Sequence, residues 1–176
     1  QQIAATLQFT PQDRSLNIMP LFHIHGLLAG LLAPMSAGSQ VFCTPGFNAL
    51  KFFAWMDEAH PSWYTAVPTM HQAILSRATK NADVIARHPL RFLRSSSSSI
   101  PPQVIRELED VFGAPLVEAY GMTEATHQMA SNPLNGKRIP GSVGLAAGPE
   151  VAIMDTEGKL LPPDTTGEIV IRGVNV

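Results

Sequence analysis

Short strand-like runs alternate with segments of helical periodicity along most of this chain, and that alternation restricts the possible folds more than any other feature. The predicted strands cover residues 15–19, 40–43, 63–67, 91–94 and 116–119. The predicted helices cover residues 27–35, 48–59, 68–78 and 101–112, with Asn48 and Ser99 as candidate N-caps and proline opening the last two. Strands that alternate with helices of this length predict an α/β fold, in which flanking helices cover a mainly parallel sheet.

The composition and the periodicity of the sequence change after Ser131. Residues 132–148 are rich in Gly, Pro and Asn, and residues 151–155 and 168–172 then have strand patterns with turn residues between them. No helical pattern separates these two runs, so they predict a hairpin or the start of a small β-barrel-like subdomain. We therefore expect an α/β subdomain over residues 1–135 and an incomplete β-rich subdomain over residues 136–176.

Composition and charge narrow the class of partner. The chain has 176 residues, of which 45% are hydrophobic and 15% charged, and this is typical of a globular domain with a substantial core. Its formal net charge is −2 and its 12 Lys and Arg residues are scattered, so we expect no nucleic-acid partner. No apolar run is long enough to predict a membrane span, and the single Cys43 fits a reducing compartment. Because the chain begins at Gln1 and ends directly after a strand-like run, we expect it to be a piece of a longer protein.

The segment from Glu118 to Glu124 combines three chemistries at the predicted carboxyl end of a strand, where open α/β sheets bind ligands. Tyr120 offers an aromatic face for a base, Thr123 a hydroxyl for a phosphate oxygen, and Glu124 a carboxylate for Mg²⁺. Gly121 lets a ligand approach the backbone closely. An alternative stays open at this point, because Thr123 and Glu124 also fit the capped start of a solvated helix, with Tyr120 simply packing.

Five consecutive serines, residues 95–99, follow one predicted strand and precede a helix. Small side chains in that place leave backbone N–H groups accessible to a ligand. A serine run on its own also fits a flexible polar linker, but its position between a strand and a helix favours a binding loop. Because parallel strands end at one edge of a sheet, this loop and the Tyr120 segment are expected to line one crevice.

Three histidines are candidates for the same neighbourhood. His23 and His25 lie between a strand and an apolar helix, and His127 follows soon after Glu124. A histidine pair at i, i+2 can bind a metal ion, but no third ligand lies nearby in sequence, so we expect these side chains to line a pocket instead. The glycine-rich phosphate-binding motifs and the nucleophile elbow of serine hydrolases are absent. The other histidines are expected to be surface or packing residues: His60, His71 and His88.

The motif Tyr120-Gly121-Met122-Thr123-Glu124 resembles the adenine- and phosphate-binding motif of the adenylate-forming enzymes, which include acyl-CoA synthetases, adenylation domains and beetle luciferases. Four further stretches are similar to family motifs in order and spacing: Pro20 to His23, Val67 to Thr69, Ser96 to Ser99, and Gly167 to Gly173. The stretches that most resemble oxalate–CoA ligases and their relatives are Phe22 to Leu32, Arg94 to Ser97, Glu118 to Tyr120, Thr123 to Met129, and Ser131-Asn132.

The resemblance implies roles for the candidate residues. Thr123 would bind the α-phosphate, Glu124 would coordinate Mg²⁺, and His23 would complete the catalytic group. The implied nucleotide-binding residues are Ser97, Ser98, Glu118, Ala119, Tyr120, Gly121 and Thr123. The implied acyl pocket consists of His23, His25, Ser96, Gly121 and His127. A small dianionic acid would need the polar donors that such a pocket offers.

The implied reaction joins a small-molecule carboxylic acid to ATP, releases pyrophosphate, and then transfers the acyl group to CoA; ATP or AMP, Mg²⁺ and CoA are the cofactors and co-substrates. The family's phosphate loop would precede Gln1, and its ribose-binding Asp and C-terminal lid would follow Val176, so we expect the chain alone to be inactive. Two alternatives stay open: an adenylation domain that loads a carrier protein, and a non-catalytic binding module of the same fold. The first would need an Asp where this chain has Phe22-His23-Ile24. We expect a cytoplasmic protein, or a peroxisomal one in a eukaryote.

Overall fold

The structure, a computed structural model, describes residues 1–176. The strands are β1 (Arg14–Asn17), β2 (Gln40–Cys43), β3 (Trp63–Ala66), β4 (Phe92–Ser95), β5 (Leu116–Tyr120), β6 (Ala130–Ser131), β7 (Leu145–Ala146), β8 (Glu150–Met154) and β9 (Glu168–Arg172). The α-helices are α1 (Gln2–Thr6), α2 (Ala33–Ser36), α3 (Phe52–Ala59), α4 (Pro68–Ala78), α5 (Ala82–Arg87) and α6 (Pro102–Phe112). A π-helix spans His25–Leu32, and 3₁₀ turns span Thr79–Asn81 and Thr123–Ala125.

Seven strands form one sheet in the order β2-β1-β3-β4-β5-β6-β7. All pairs between β2 and β5 are parallel, whereas β6 and β7 join the sheet antiparallel. A separate antiparallel sheet pairs β8 with β9. The predicted α/β fold, with a mainly parallel sheet followed by a smaller β-rich segment, is confirmed.

Both faces of the larger sheet are covered, as expected of parallel strands that carry helical connections. Side chains alternate between the faces along each strand: Tyr64 and Leu93 belong to a core cluster of 19 buried residues, and their neighbours Trp63 and Phe92 belong to a cluster of eight on the other face. Helices α3 to α6 contribute to the larger cluster, while α1, the π-helix and α2 contribute to the smaller one.

Proline and glycine set the limits of α6, and this shows why the sequence predicted its end better than its start. The helix ends at Gly113, which adopts a left-handed conformation with φ of +60°. It begins at Pro102 rather than Pro101, because Pro101 itself precedes a proline and is held extended. Ser99 is therefore not its N-cap, and that prediction was wrong.

Two other predicted helices differ from the observed ones at their starts. The predicted Asn48 helix begins only at Phe52, and Lys51 occupies its N-cap position, so the prediction of Asn48 as N-cap was wrong. The Asn48 carboxamide oxygen accepts hydrogen bonds from the backbone of Leu50 and Lys51 and so caps the turn that leads into the helix. The apolar helix predicted over residues 27–35 begins at His25 and is a π-helix as far as Leu32, where α2 continues it.

The region between the two sheets is mostly irregular, as predicted, but it contains one strand of the larger sheet. Strand β7 pairs with β6 even though it lies beyond residue 135. The division of the chain at residues 135 and 136 stays a prediction. None of the helices is long and apolar enough to cross a membrane.

Candidate functional site

The serine run and the Tyr120 segment meet because they follow β4 and β5, which are adjacent parallel strands. Between them lies a cavity of about 250 Å³ at the carboxyl edge of the sheet. Its lining consists of Ser97, Ser98, Ser99, Glu118, Ala119, Tyr120, Gly121, Gly141 and Val143. Six of the seven residues predicted to bind nucleotide therefore line one cavity, and Thr123 is the exception.

Glu118 is the carboxylate of this cavity. It lies on β5 and is 9% exposed, and its Oε2 accepts a hydrogen bond from the backbone N–H of Gly141 at 3.2 Å. Burial raises the pKa of the Glu118 carboxyl above its usual value, and the Gly141 N–H opposes part of that effect. A carboxyl group with one oxygen held by the backbone has acceptor capacity left for a ligand's N–H or O–H groups.

The chain turns back on itself after Tyr120, and this explains the glycine at position 121. A Cβ on Gly121 would overlap the backbone carbonyl of His127, so no larger residue fits this crossing. The 3₁₀ turn Thr123–Ala125 is followed by Thr126 and His127, which both have positive φ. The continuous helix that would have followed from a capped start at Thr123 is not formed, and the reversal brings His127 back to the sheet.

Thr123 and Glu124 both lie in this turn with exposed side chains. No group of three or more His, Cys, Asp or Glu residues in the structure could hold a metal ion. A lone exposed carboxylate does fit the usual mode of Mg²⁺ binding, in which one or two carboxylates are completed by water and substrate phosphate oxygens. The exposed carboxylate of Glu124 is available for contacts of that kind.

A buried polar cluster lies beside the cavity, at the ends of β3 and β4. His25 has its Nε2 2.6 Å from Thr65 Oγ1 and its Nδ1 3.1 Å from Ser97 Oγ. Arg94 donates through Nη1 to His25 Nε2 and through Nη2 to His127 Nε2, both at 3.3 Å. The two imidazole rings stack with centroids 5.4 Å apart. Ser97 lines the cavity and also contacts this cluster.

The proton positions in the cluster follow from Arg94, because a guanidinium only donates hydrogen bonds. His25 and His127 must each accept at Nε2, and each ring then carries its proton on Nδ1. Burial, followed by the charge of Arg94, lowers the pKa of His127 to about 3 and that of His25 well below its usual value. Both rings are therefore neutral near pH 7, and Nδ1–H of His25 donates to Ser97.

Arg94 is the residue that the sequence analysis did not assign to the site. It is fully buried, and burial lowers its pKa to about 10, so it stays charged at neutral pH. No Asp or Glu forms an ion pair with it, and its Nε has no hydrogen-bond partner. The hydroxyls of Ser95 and Ser96, next along the chain, also lack partners. Buried charges without a counter-ion are rare, so this cluster is suited to a bound anion.

Thr65 was missed as well, and one signal in the sequence could have found both residues. Strands buried on both faces of a parallel sheet are expected to be almost continuously apolar. Arg94 and Thr65 interrupt such strands close to their carboxyl ends, where ligands bind. A polar residue at that position is a candidate for the site.

The predicted acyl-pocket residues are only partly brought together. His25 and His127 stack against each other, and Gly121 lies directly beneath the His127 backbone. His23 is exposed, and its Nδ1 accepts a hydrogen bond from the backbone N–H of His25 at 3.1 Å. Ser96 is buried and is not in contact with either imidazole through a hydrogen bond.

Comparison with known proteins agrees with this geometry. The family model described as "AMP-binding enzyme" matches residues 1–176. Over this chain, an oxalate–CoA ligase of Arabidopsis thaliana is 46% identical, with 100% of the chain and 35% of the relative covered. An oxalate–CoA ligase of Saccharomyces cerevisiae is 43% identical over 99% of the chain and 32% of its own length. The chain thus spans about a third of the length of these relatives.

Solved structures lead to the same family. The crystal structure of ATP-bound MatB from Rhodopseudomonas palustris superposes with a TM-score of 0.89 and 30% sequence identity, covering 99% of this chain and 34% of that one. The resemblance to adenylate-forming enzymes is confirmed, since the family match runs from the first residue to the last. The chain belongs to the AMP-binding enzyme family.

Proposed function

We propose that the full-length protein containing this chain is an AMP-forming acid–CoA ligase that activates a small dianionic carboxylic acid. The acid would react with ATP to give an acyl-adenylate and pyrophosphate, and the acyl group would then pass to CoA with release of AMP. The observation that supports the choice of acid is the buried Arg94 charge, which has no carboxylate partner and lies beside the cavity between the serine run and β5. The names of the two oxalate–CoA ligases are consistent with it.

In this proposal the cavity between the serine run and β5 receives the adenine and ribose. Tyr120 would stack on the base, as aromatic side chains do. Ser97 and Ser98 would line the base through their backbone, and Glu118 would accept hydrogen bonds from its N–H groups. Ala119 and Gly121 have small side chains, which leave room for the base to lie against the strand.

The acid would bind next to this cavity, against His25, His127 and Ser97. Arg94 is out of contact with solvent, so it would act on the acid through its charge and through the two imidazoles that accept its N–H groups. A unit charge about 6 Å away contributes roughly 3 kcal/mol at an effective dielectric constant of about 20. That is enough to select a dianion over a monoanion, while the apolar pocket expected for a fatty acid is not supported by these residues.

The remaining predicted roles concern the phosphates. Thr123 would donate its hydroxyl to the α-phosphate, and Glu124 would hold Mg²⁺, which neutralises the charge of the phosphate oxygens when bound. His23 would lie at the rim of the acid pocket, where its exposed ring can contact the reacting carboxylate. Stabilising the charge that develops during attack on phosphorus is the main task of such groups.

The proposal is tested with the full-length protein in an assay of pyrophosphate release. ATP is supplied with oxalate, malonate, acetate or a long-chain fatty acid, and thioester formation is then followed with CoA. We expect release to depend on a dianionic acid, and Glu124→Gln to lower the rate at least about 100-fold if the carboxylate stabilises the transition state as electrostatic groups typically do. Glu157→Gln, at the exposed turn between β8 and β9, is the matched control and should leave the rate unchanged.

Two outcomes would contradict the proposal. Release driven only by acetate or a fatty acid would refute the dianionic substrate while leaving the ligase intact. No acid-dependent release, together with equal binding of a non-hydrolysable acyl-adenylate analogue by the wild type and Tyr120→Ala in calorimetry, would favour a non-catalytic module. The cytoplasm, or the peroxisome of a eukaryote, stays the predicted compartment.

A further inference from the structure

The π-helix that begins at His25 is an unusual element in an unusual place. Helices of this type occur mostly as single turns within α-helices and are frequent at functional sites. Here it spans eight residues, His25–Leu32, and its first residue carries the imidazole into the buried cluster around Arg94. The position of His25 therefore depends on what holds this wide helix against the sheet.

Two side chains of β1 hold it. Ser15 and Asn17 lie on the same face of the strand, and both are buried. Ser15 Oγ donates to the carbonyl of Gly30 at 3.1 Å, and Asn17 Nδ2 donates to the carbonyl of Gly26, also at 3.1 Å. The other end of the Asn17 carboxamide, Oδ1, accepts the backbone N–H of Met19 at 3.2 Å. We call Ser15 and Asn17 the β1 clamp.

The close approach of the π-helix to β1 and its following loop requires glycine at two positions of the helix. A Cβ on Gly30 would overlap the Asn17 carboxamide, and a Cβ on Gly26 would overlap the carbonyl of Pro20. A larger residue at Gly30 would push against the Asn17 side chain of β1, and a larger residue at Gly26 would push against the loop that follows β1. The clamp and the two glycines thus fix the distance between the helix and the sheet. One of these glycines, Gly26, is the residue next to His25 in the sequence.

We infer that the β1 clamp is the positioning device for His25, with Asn17 as its principal residue, and that it sets the affinity of the acid pocket without touching the ligand. Asn17 joins the loop after β1, through Met19, to the first turn of the π-helix, through Gly26. Loss of the Gly26 bond removes the link between β1 and the first turn of the helix and lets that turn shift, and loss of the Met19 bond removes the side-chain acceptor of a buried backbone N–H. Binding groups need placement to within about 0.5 Å, so a small shift is sufficient to weaken the site.

The test uses Asn17→Asp and Ser15→Ala in the full-length protein. Asp keeps the acceptor for Met19 but replaces the donor to Gly26 by an oxygen. We expect the imidazole NMR signals of His25, assigned with His25→Gln, to shift in both variants. We expect KM for the dianionic acid to rise about 10- to 100-fold in Asn17→Asp, and less in Ser15→Ala, while KM for ATP stays within about twofold. Asn48→Ala, which removes a similar side-chain-to-backbone turn from an exposed loop, should change neither.

The KM prediction depends on the proposed function, but the NMR prediction does not. If the wild type shows no acid-dependent turnover, the proposed function fails and the His25 signals still decide the role of the clamp. His25 signals unchanged in a folded clamp variant would overturn the inference, as would an equal rise of both KM values. If Asn17→Asp does not fold, the same readouts in Ser15→Ala decide, and unchanged His25 signals there would also overturn it.

Discussion

Two arginines at opposite ends of β4 have opposite surroundings. Arg91 directly precedes the strand, and its Nε and Nη2 each donate to a carboxylate oxygen of Asp13 at 3.0 Å. The same carboxylate accepts from the hydroxyl of Ser62 at 2.8 Å and from the backbone of Thr10 at 2.9 Å. At this amino end of the sheet the buried carboxylate has its counter-charge, and Asp13 links residues that are far apart in sequence.

At the carboxyl end, Arg94 donates only to neutral groups, which are the imidazoles of His25 and His127 and, at 3.5 Å, the Thr65 hydroxyl. A buried cation with no anion costs free energy of folding, whereas a bidentate pair such as Arg91 with Asp13 satisfies both partners. Burial alone therefore does not assign an arginine to the core. The charged partner is the better guide. A carboxylate from the protein indicates a structural role, and the absence of one indicates a place for the charge of a ligand.

The largest expected effect comes from removing the unpaired charge. We expect Arg94→Met to weaken binding of a dianionic acid roughly 100-fold, from a Coulomb contribution of roughly 3 kcal/mol. We expect its melting temperature to equal or exceed that of the wild type, because the substitution removes a buried charge. Calorimetric titration with oxalate in the presence of a non-hydrolysable ATP analogue measures the first effect, and scanning calorimetry measures the second.

Arg94→Lys is the matched control, since it keeps the charge and loses the fork of N–H donors. It should retain more affinity than Arg94→Met. If Arg94→Met instead binds the acid normally and unfolds at a lower temperature, the arginine is structural and the contrast with Arg91 disappears.

Removing the paired charge should have the reverse outcome. We expect Arg91→Met to lower the free energy of unfolding by about 3 kcal/mol, because it leaves the buried Asp13 carboxylate without its cation. The guanidinium is partly exposed, which places the effect at the lower end for such pairs. Urea denaturation measures it, and acid affinity should stay as in the wild type.

The double variant Asp13→Leu with Arg91→Met tests whether the loss of stability in Arg91→Met comes from the unpaired Asp13 carboxylate. It should be more stable than Arg91→Met alone, because no unpaired charge remains. Equal stability of the two would show that Asp13 is satisfied by Ser62 and Thr10 without the arginine.

Local patterns in the sequence were sufficient to predict the five parallel strands and the crevice, but not the antiparallel strands β6 and β7. The strand-like runs predicted β1 to β5, and parallel order then brought residues 95–99 and the Tyr120 segment to one edge without further information. Prolines and glycines predicted helix limits because they act within one or two residues.

The contacts within the buried polar cluster around Arg94 could not be predicted in the same way. Arg94 meets His25 across 69 residues of sequence and His127 across 33, and nothing local specifies either contact. His127 points inward only because Thr126 and His127 take positive φ, a conformation that residues other than glycine seldom adopt. His71 was expected to be a surface or packing residue; it is buried, where its Nδ1 accepts from the Tyr64 hydroxyl and its Nε2–H donates to the Arg94 carbonyl.

That His71 contact makes the carboxyl end of β4 sensitive to acid. Burial lowers the pKa of His71 to about 4, against about 6.5 in the unfolded chain. The unfolded state therefore binds more protons between these values, so the stability contribution is complete above pH 6.5 and is lost as the pH falls towards 4. Between pH 7 and pH 5 we expect the wild type to lose about 2 kcal/mol more than His71→Gln does.

Urea denaturation at the two pH values measures this difference. His60→Asn is the control, because His60 is exposed and Asn tolerates its left-handed conformation. It should lose as much stability as the wild type. An equal loss in His71→Gln would show that the acid sensitivity of the fold originates elsewhere.

The smallest effect concerns Ser97, where backbone strain and a hydrogen bond contribute to the free energy of unfolding with opposite signs. Its φ is +74°, a left-handed conformation that costs a residue other than glycine about 1 kcal/mol, and its hydroxyl accepts from His25 Nδ1 at 3.1 Å. Ser97→Ala loses the hydrogen bond and keeps the strain, so we expect a loss of about 1 kcal/mol in unfolding free energy. Ser97→Gly loses the same bond and relieves the strain, so we expect almost no change.

The two variants should nevertheless weaken acid binding equally, because both release the His25 ring that Arg94 polarises. Unfolding free energies that differ while acid affinities agree would show that the hydroxyl serves the ligand rather than the fold. Ser97 would then resemble Arg94 and differ from Arg91. Both Ser97 and Arg94 would lower the stability of the fold, and both would contribute to binding the acid. If Ser97→Gly binds the acid as well as the wild type does, the Ser97 hydroxyl has no part in orienting His25.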